Sequence, residues 1–135
     1  MEASKYDEAL TAYNDALGVD ENFLDAYMKR AFIYSLQKKH ELALADYNKV
    51  IDINSNNSYV YVSRGGALNQ LQRYDEAILD FNKALELDKT NAEAYNNRGF
   101  AKKALGDKNG ACSDWKKSKK LGNEEARIIL INNQC

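Results

Sequence analysis

Few residues in this 135-residue chain have the type to do chemistry. His40 is the only histidine, and a histidine acts as acid or base only where a second group holds or activates it. The sequence marks no such group, so His40 reads as a solvated residue opening a helix at a turn. The two cysteines are Cys112 and Cys135. Cys112 shares an apolar column with Leu10, Leu44 and Ile78, which suits a small core residue. It also stands ten residues before the Gly122–Asn123 turn, and Cys135 twelve after it. At similar heights on adjacent helices the two would be able to form a disulfide pinning the last helix, which implies an oxidising compartment. Lys116, Lys117, Lys119 and Lys120 surround Trp115. A solvated face near a helix C-terminus accounts for such a run, since positive charge suits the dipole there; an acidic partner is the sharper alternative. With no activated nucleophile, metal cluster or phosphate loop, neither catalysis nor a cofactor is expected.

Three charged pairs are regularly placed. Arg30 and Asp46, Arg64 and Asp80, and Arg98 and Asp114 are each 16 residues apart, and each pair straddles a turn. In an antiparallel helix pair, residues equidistant from the turn lie level, so each arginine should face its own aspartate. Stacked arginines would alternatively make an anion-binding stripe. Structural ion pairs are the preferred reading, because the one unit without a partner helix carries Ala12 where the others carry aspartate.

The elements that position these groups follow from a repeat. Tyr6, His40, Tyr74 and Lys108 are 34 residues apart and open the stretches YDEALTAY, HELALADY, YDEAILDF and KNGACSDW. Alanine recurs at Ala9, Ala43, Ala77 and Ala111, with an aromatic four residues later at Tyr13, Tyr47, Phe81 and Trp115. A fixed period of this length marks a solenoid whose units bury their apolar faces on one another. Ala94, Tyr95, Gly99, Ala101 and Leu105 form one three- and four-step stripe, and Ala77, Ile78, Phe81, Ala84 and Leu85 another. The expected helices are 4–18, 24–36, 40–53, 58–71, 74–87, 92–105, 108–121 and 124–133. Asn57 and Thr90 or Asn91 are the expected N-caps.

Composition sets limits. Net charge is −1 and the sequence pI about 5.9, so no global basic field would hold nucleic acid. Mean hydropathy is −0.65, and no apolar run approaches the roughly 18 residues of a membrane span. The opening MEASKYDEAL lacks a basic and then apolar leader, which predicts a cytoplasmic protein.

The 34-residue period, the small residues Ala31, Gly65 and Gly99, and the stretches AYNNRGFAKKALGD and YDEAILDFNKALELD resemble tetratricopeptide (TPR) repeats. The resemblance implies an all-α, right-handed α-solenoid of helix-turn-helix repeats. As one domain it divides into an N-terminal half repeat (1–23), repeats at 24–57, 58–91 and 92–125, and a capping helix at 126–135. The family's usual inter-repeat proline is replaced by Ser55, Lys89 and Asn123, and Gly66 stands where neighbouring units have Phe32 and Phe100.

In such repeats the first helix of each unit lines a concave groove. The side chains left there are Asp25, Met28, Lys29, Phe32 and Ser35, then Tyr59, Val62, Ser63, Gly66 and Asn69, then Glu93, Asn96, Asn97, Phe100 and Lys103. Several are apolar, and Gly66 should leave a notch one aromatic side chain deep. The expected partner is a peptide segment or helix of another protein, anchored near Gly66 and gripped by Lys29, Asn97 and Lys103. One branch of the family clamps chaperone carboxylates with lysines and asparagines. Here Met28, Phe32, Ser63 and Glu93 occupy clamp-type places and only Asn97 is suitable, which argues against that ligand. Ile128–Ile131 are consecutive and cannot all face one neighbour. With the lone first helix, they suggest the rival expectation of a homo-oligomer assembled through the chain ends.

Overall fold

The computed structural model describes residues 3–135. Among these the chain forms eight α-helices and no strand: α1 (Ala3–Val19), α2 (Leu24–Leu36), α3 (His40–Ile53), α4 (Ser58–Gln70), α5 (Tyr74–Leu87), α6 (Ala92–Ala104), α7 (Lys108–Lys120) and α8 (Glu124–Asn132). Every boundary lies within one residue of the range read from the sequence. The helices group into two compact units, α1–α3 and α4–α8, divided between Asn56 and Asn57.

Each hairpin closes on a small residue set against an aromatic. In the second unit, a Cβ added to Gly65 would lie 2.6 Å from the Phe81 ring, and one added to Gly99 would lie 2.5 Å from the Trp115 ring. Both rings are enclosed, Phe81 at 0% and Trp115 at 2% exposure. The Trp115 indole Nε1 donates to the Asn96 carbonyl at 3.1 Å, so its one polar atom is satisfied inside the core. In the first unit the same positions hold Ala31 and Tyr47, both buried. The recurrent alanines Ala43, Ala77 and Ala111 are sealed completely; a larger side chain there would force the helices apart.

Helix ends are closed by their own backbone. After α2, α4 and α6, the residues Lys38, Gln72 and Gly106 take φ values of 59°, 59° and 89°. This left-handed step lets Lys39, Arg73 and Asp107 donate to the carbonyls of Tyr34, Leu68 and Lys102, which satisfies carbonyls that a helix end otherwise leaves bare. At the other ends, Asn57 accepts from the Tyr59 N–H and Asn91 from the Ala94 N–H. Asp107 and Asn123 cap α7 and α8 in the same way, two caps that the sequence reading did not name.

A second polar tie has exchanged sides between hairpins. Ser58 on α4 donates to the Ala84 carbonyl at 2.9 Å, whereas in the next hairpin Ser118 on α7 donates to the Ala92 carbonyl at 2.7 Å. Positions 58 and 92 correspond, as do 84 and 118, so donor and acceptor have swapped helices. The stripes also differ in places from expectation. Leu105 is the C-cap of α6 and 49% exposed, because the chain turns away before it can join the buried face. Ile78 is only half-buried.

The arginines sit level with the aspartates. Each guanidinium donates through Nε and one terminal nitrogen to both oxygens of its carboxylate, at 2.6–2.9 Å, for Arg30 and Asp46, Arg64 and Asp80, and Arg98 and Asp114. The remaining nitrogen of Arg30 reaches Asn14, and that of Arg98 reaches Asn82, both at 2.8 Å. Tyr27, Tyr61 and Tyr95 lie under the three guanidinium groups at 5.3–5.7 Å, adding a cation–π contribution. The Asp114 carboxylate, chiefly by hydrogen bonding, holds the Arg98 guanidinium above its ordinary pKa, against the opposing effect of burial. Asp114 also has Lys102 Nζ at 3.0 Å. Arg64→Ala should therefore cost about 3–5 kcal/mol, because a buried carboxylate loses its guanidinium. Arg98→Ala should cost less, since Lys102 remains beside Asp114. Urea melts of the two variants check the order, and equal losses would mean that Lys102 contributes nothing.

Candidate functional site

The second unit carries a cleft of about 260 Å³ where α4, α6, α7 and α8 converge. From α4 come Gly66, Asn69 and Gln70; from α6, Asn96, Asn97 and Phe100; from α8, Glu125 and Ile129, with Trp115 of α7 at the base. Helical spacing explains the arrangement. Asn96, Asn97 and Phe100 lie one turn apart, as do Gly66, Asn69 and Gln70, so each helix presents a short polar-and-aromatic face. At Gly66 an added Cβ would meet nothing within 4 Å. The notch is open space, unlike the tight seats of Gly65 and Gly99. Phe100 is 52% exposed and its ring is met edge-on by Tyr74 at 6.2 Å. That contact holds an aromatic wall in place beside the cleft.

Of the residues expected on the groove, the structure brings Gly66, Asn69, Asn97 and Phe100 together in this cleft. Lys103 lines an adjoining hollow with Phe100 and Asn133, and its ammonium donates to Asn133 Oδ1 at 2.5 Å. Tyr59 is exposed and Ser63 half-buried on α4, but neither lines the cleft. Val62 belongs to the core, at 2% exposure. It was expected on the groove, but its place on α4 turns it inward with Val60 and Tyr61. In the first unit, Met28 is half-buried and Phe32 is 56% exposed on α2. Lys29 is exposed and engaged with Asp25 at 3.0 Å; the hydrogen bond to that carboxylate raises the lysine's pKa above its ordinary value.

The electrostatics of the cleft depend on asparagine. Asn69 is 7% and Asn96 8% exposed. The Asn69 amide nitrogen donates to the Asn97 carbonyl at 3.1 Å, which fixes which end of that amide is oxygen. The oxygens of Asn69 and Asn96 are both buried without a hydrogen-bond partner. Each such group forgoes water without gaining a protein donor, at roughly 1–3 kcal/mol. The sequence marked Asn69 and Asn96 as groove residues, and Glu125 only as part of a terminal helix. A signal for Glu125 existed in the 34-residue period, which aligns α8 with α2, α4 and α6.

A larger hollow of about 660 Å³ lies between α7 and α8, lined by Lys116, Lys119, Lys120, Leu130 and Ile131 with Gln134 and Cys135. Lys117 departs from the basic cluster and lies over the Tyr95 ring at 5.6 Å. Cys112 and Cys135 are joined as a disulfide with their Cα atoms 5.7 Å apart. His40 is half-buried, with Nδ1 enclosed and unpartnered, rather than the solvated turn residue expected. Among the described residues, no three His, Cys, Asp or Glu side chains are placed to hold a metal ion, and no helix is long and apolar enough to cross a membrane.

Stacked helical hairpins, repeating every 34 residues around small-residue and aromatic seats, define an α-solenoid. The tetratricopeptide repeat model matches residues 24–57, and a TPR repeat model matches residues 65–106. The chain belongs to the tetratricopeptide repeat family. Solved structures agree on the fold. MamA superposes with a TM-score of 0.83 at 21% identity, covering 88% of this chain and 70% of that one. The Arabidopsis OM64 TPR domain gives 0.79 at 25% identity, covering 82% and 93%. The second TPR domain of human RPAP3, in complex with the HSP70 peptide SGPTIEEVD, gives 0.75 at 28% identity, covering 81% and 92%. No curated protein sequence matched the chain.

Closing a loop of this length by a disulfide limits the unfolded chain by about 3 kcal/mol. Cys135→Ser should lower stability by that order in denaturant melts without reductant. Alkylation of the unreduced wild-type chain followed by intact mass should find no free thiol, and two alkylated cysteines would refute the bond.

Proposed function

We propose that this chain is a non-catalytic adaptor that takes a peptide segment or helix of another protein on the concave side of its repeats. Membership of the family supports this reading, and so does the structural likeness to a human RPAP3 domain solved with a bound peptide. The observation that carries it is the cleft around Gly66 and Phe100, where an unfilled notch adjoins an exposed aromatic and a set of amide groups. An apolar anchor in the notch and backbone hydrogen bonds to Asn97 fit the way extended segments are usually held. The half repeat, three repeats and capping helix are proposed to work as one binding domain. The pairing of Cys112 with Cys135 favours an oxidising compartment over the cytoplasm.

Gly66→Trp tests the reading cleanly. Position 66 is open, and tryptophan is a better helix former than glycine, so the fold should hold with a thermal midpoint within about 2–4 °C of wild type. Capture of a partner by the immobilised variant should fall at least about tenfold, as occupying a binding hot spot does. Undiminished capture would refute the groove.

A second reading, self-assembly, is favoured by the exposure of Ile128 at 55% and Ile131 at 67% on α8. Light scattering separates the two. A mass that does not change with concentration supports the adaptor, and a concentration-dependent dimer supports assembly.

A further inference from the structure

We propose that the cleft beside Gly66 is a socket for an arginine side chain presented by the partner peptide. This deepens the groove reading and rests on it. Three observations converge on a hydrogen-bond donor of positive charge. First, Asn69 and Asn96 place two buried, unpartnered amide oxygens on the lining, and an acceptor lacking a donor is completed by a ligand that brings N–H groups. The terminal torsion of asparagine is soft, so either oxygen turns to a donor in the cleft without moving backbone.

Second, Glu125 contributes a carboxylate that has no ion-pair partner among the described residues. The nearby cations are committed elsewhere: Arg98 and Lys102 to Asp114, and Lys103 to Asn133. Third, the walls between these acceptors are Phe100 and Ile129. They suit the methylene stem of a long cationic side chain, and the phenyl face suits the cation itself. Arginine fits better than lysine because its planar fork spreads five donors towards separated acceptors, whereas an ammonium is a single point. A carboxylate ligand would meet oxygens and a like charge.

The test uses the whole ¹⁵N-labelled chain and four acetylated, amidated pentapeptides, Gly-Gly-Xaa-Gly-Gly, with arginine, lysine, glutamine or glutamate at the centre. The arginine peptide should shift the side-chain amide resonances of Asn69 and Asn96, with lysine weaker and glutamate without effect. Glu125→Gln should weaken the arginine peptide roughly 3–5-fold, the size of an exposed ion pair. Asn96→Leu should abolish the response while its thermal midpoint stays at or above wild type, because the carbonyl that receives Trp115 is backbone and only an unpartnered oxygen is removed. Resonances unmoved by the arginine peptide, or moved equally by glutamate, would overturn the socket, as would a lowered midpoint in Asn96→Leu. If Gly66→Trp still abolishes partner capture while these amides stay silent, the groove stands and only the socket falls.

Discussion

The rest of the structure depends on how closely paired helices can approach. At Gly65 and Gly99 the distance to Phe81 and Trp115 leaves no room for a single methyl group, and the facing alanines are sealed at zero exposure. That separation sets where the Arg–Asp pairs meet, since a bidentate bond tolerates only small errors in helix height and distance. It also sets the depth of the cleft, because the Trp115 ring that fills the Gly99 seat is the same ring that forms the cleft's base. Core packing and binding surface therefore share one side chain.

Much of this was legible in the sequence because the repeat states each rule several times. A single Ala-x-x-x-aromatic run is weak, but four at one spacing fix helix boundaries to within one residue. What the sequence hid were exchanges between equivalent positions. The serine tie between hairpins moves from Ser58 on one helix to Ser118 on the other, and the first unit holds Leu24 and Val50 at those places. No single column shows the interaction; only the pair of columns does. Val62 was misplaced for a related reason. Its neighbours at that position, Met28 and Asn96, are of different character, so periodicity alone could not say which way α4 turns it. Gly66 and Gly65 are adjacent and identical in type, yet one is a steric necessity and the other an open space.

The cleft departs from the consistency seen elsewhere. Almost every polar group on the hairpins finds a partner: capping asparagines, bidentate arginines, a tryptophan bonded inside the core. Unpartnered oxygens at Asn69 and Asn96 break that rule at the place where an open notch, an aromatic wall and a lone carboxylate come together. Local violations of good folding practice tend to gather where a protein must interact.

The left-handed residues at the helix ends have an evolutionary consequence. Two of the three hairpin turns place lysine or glutamine where glycine is the least strained choice, and each such residue sits about 1 kcal/mol or more above its relaxed conformation. The fold thus operates below its attainable ceiling at sites remote from the cleft. A lineage can draw on that reserve, tightening a turn to absorb the damage of a new residue on the concave face. Partner specificity is in this way free to drift while the framework persists.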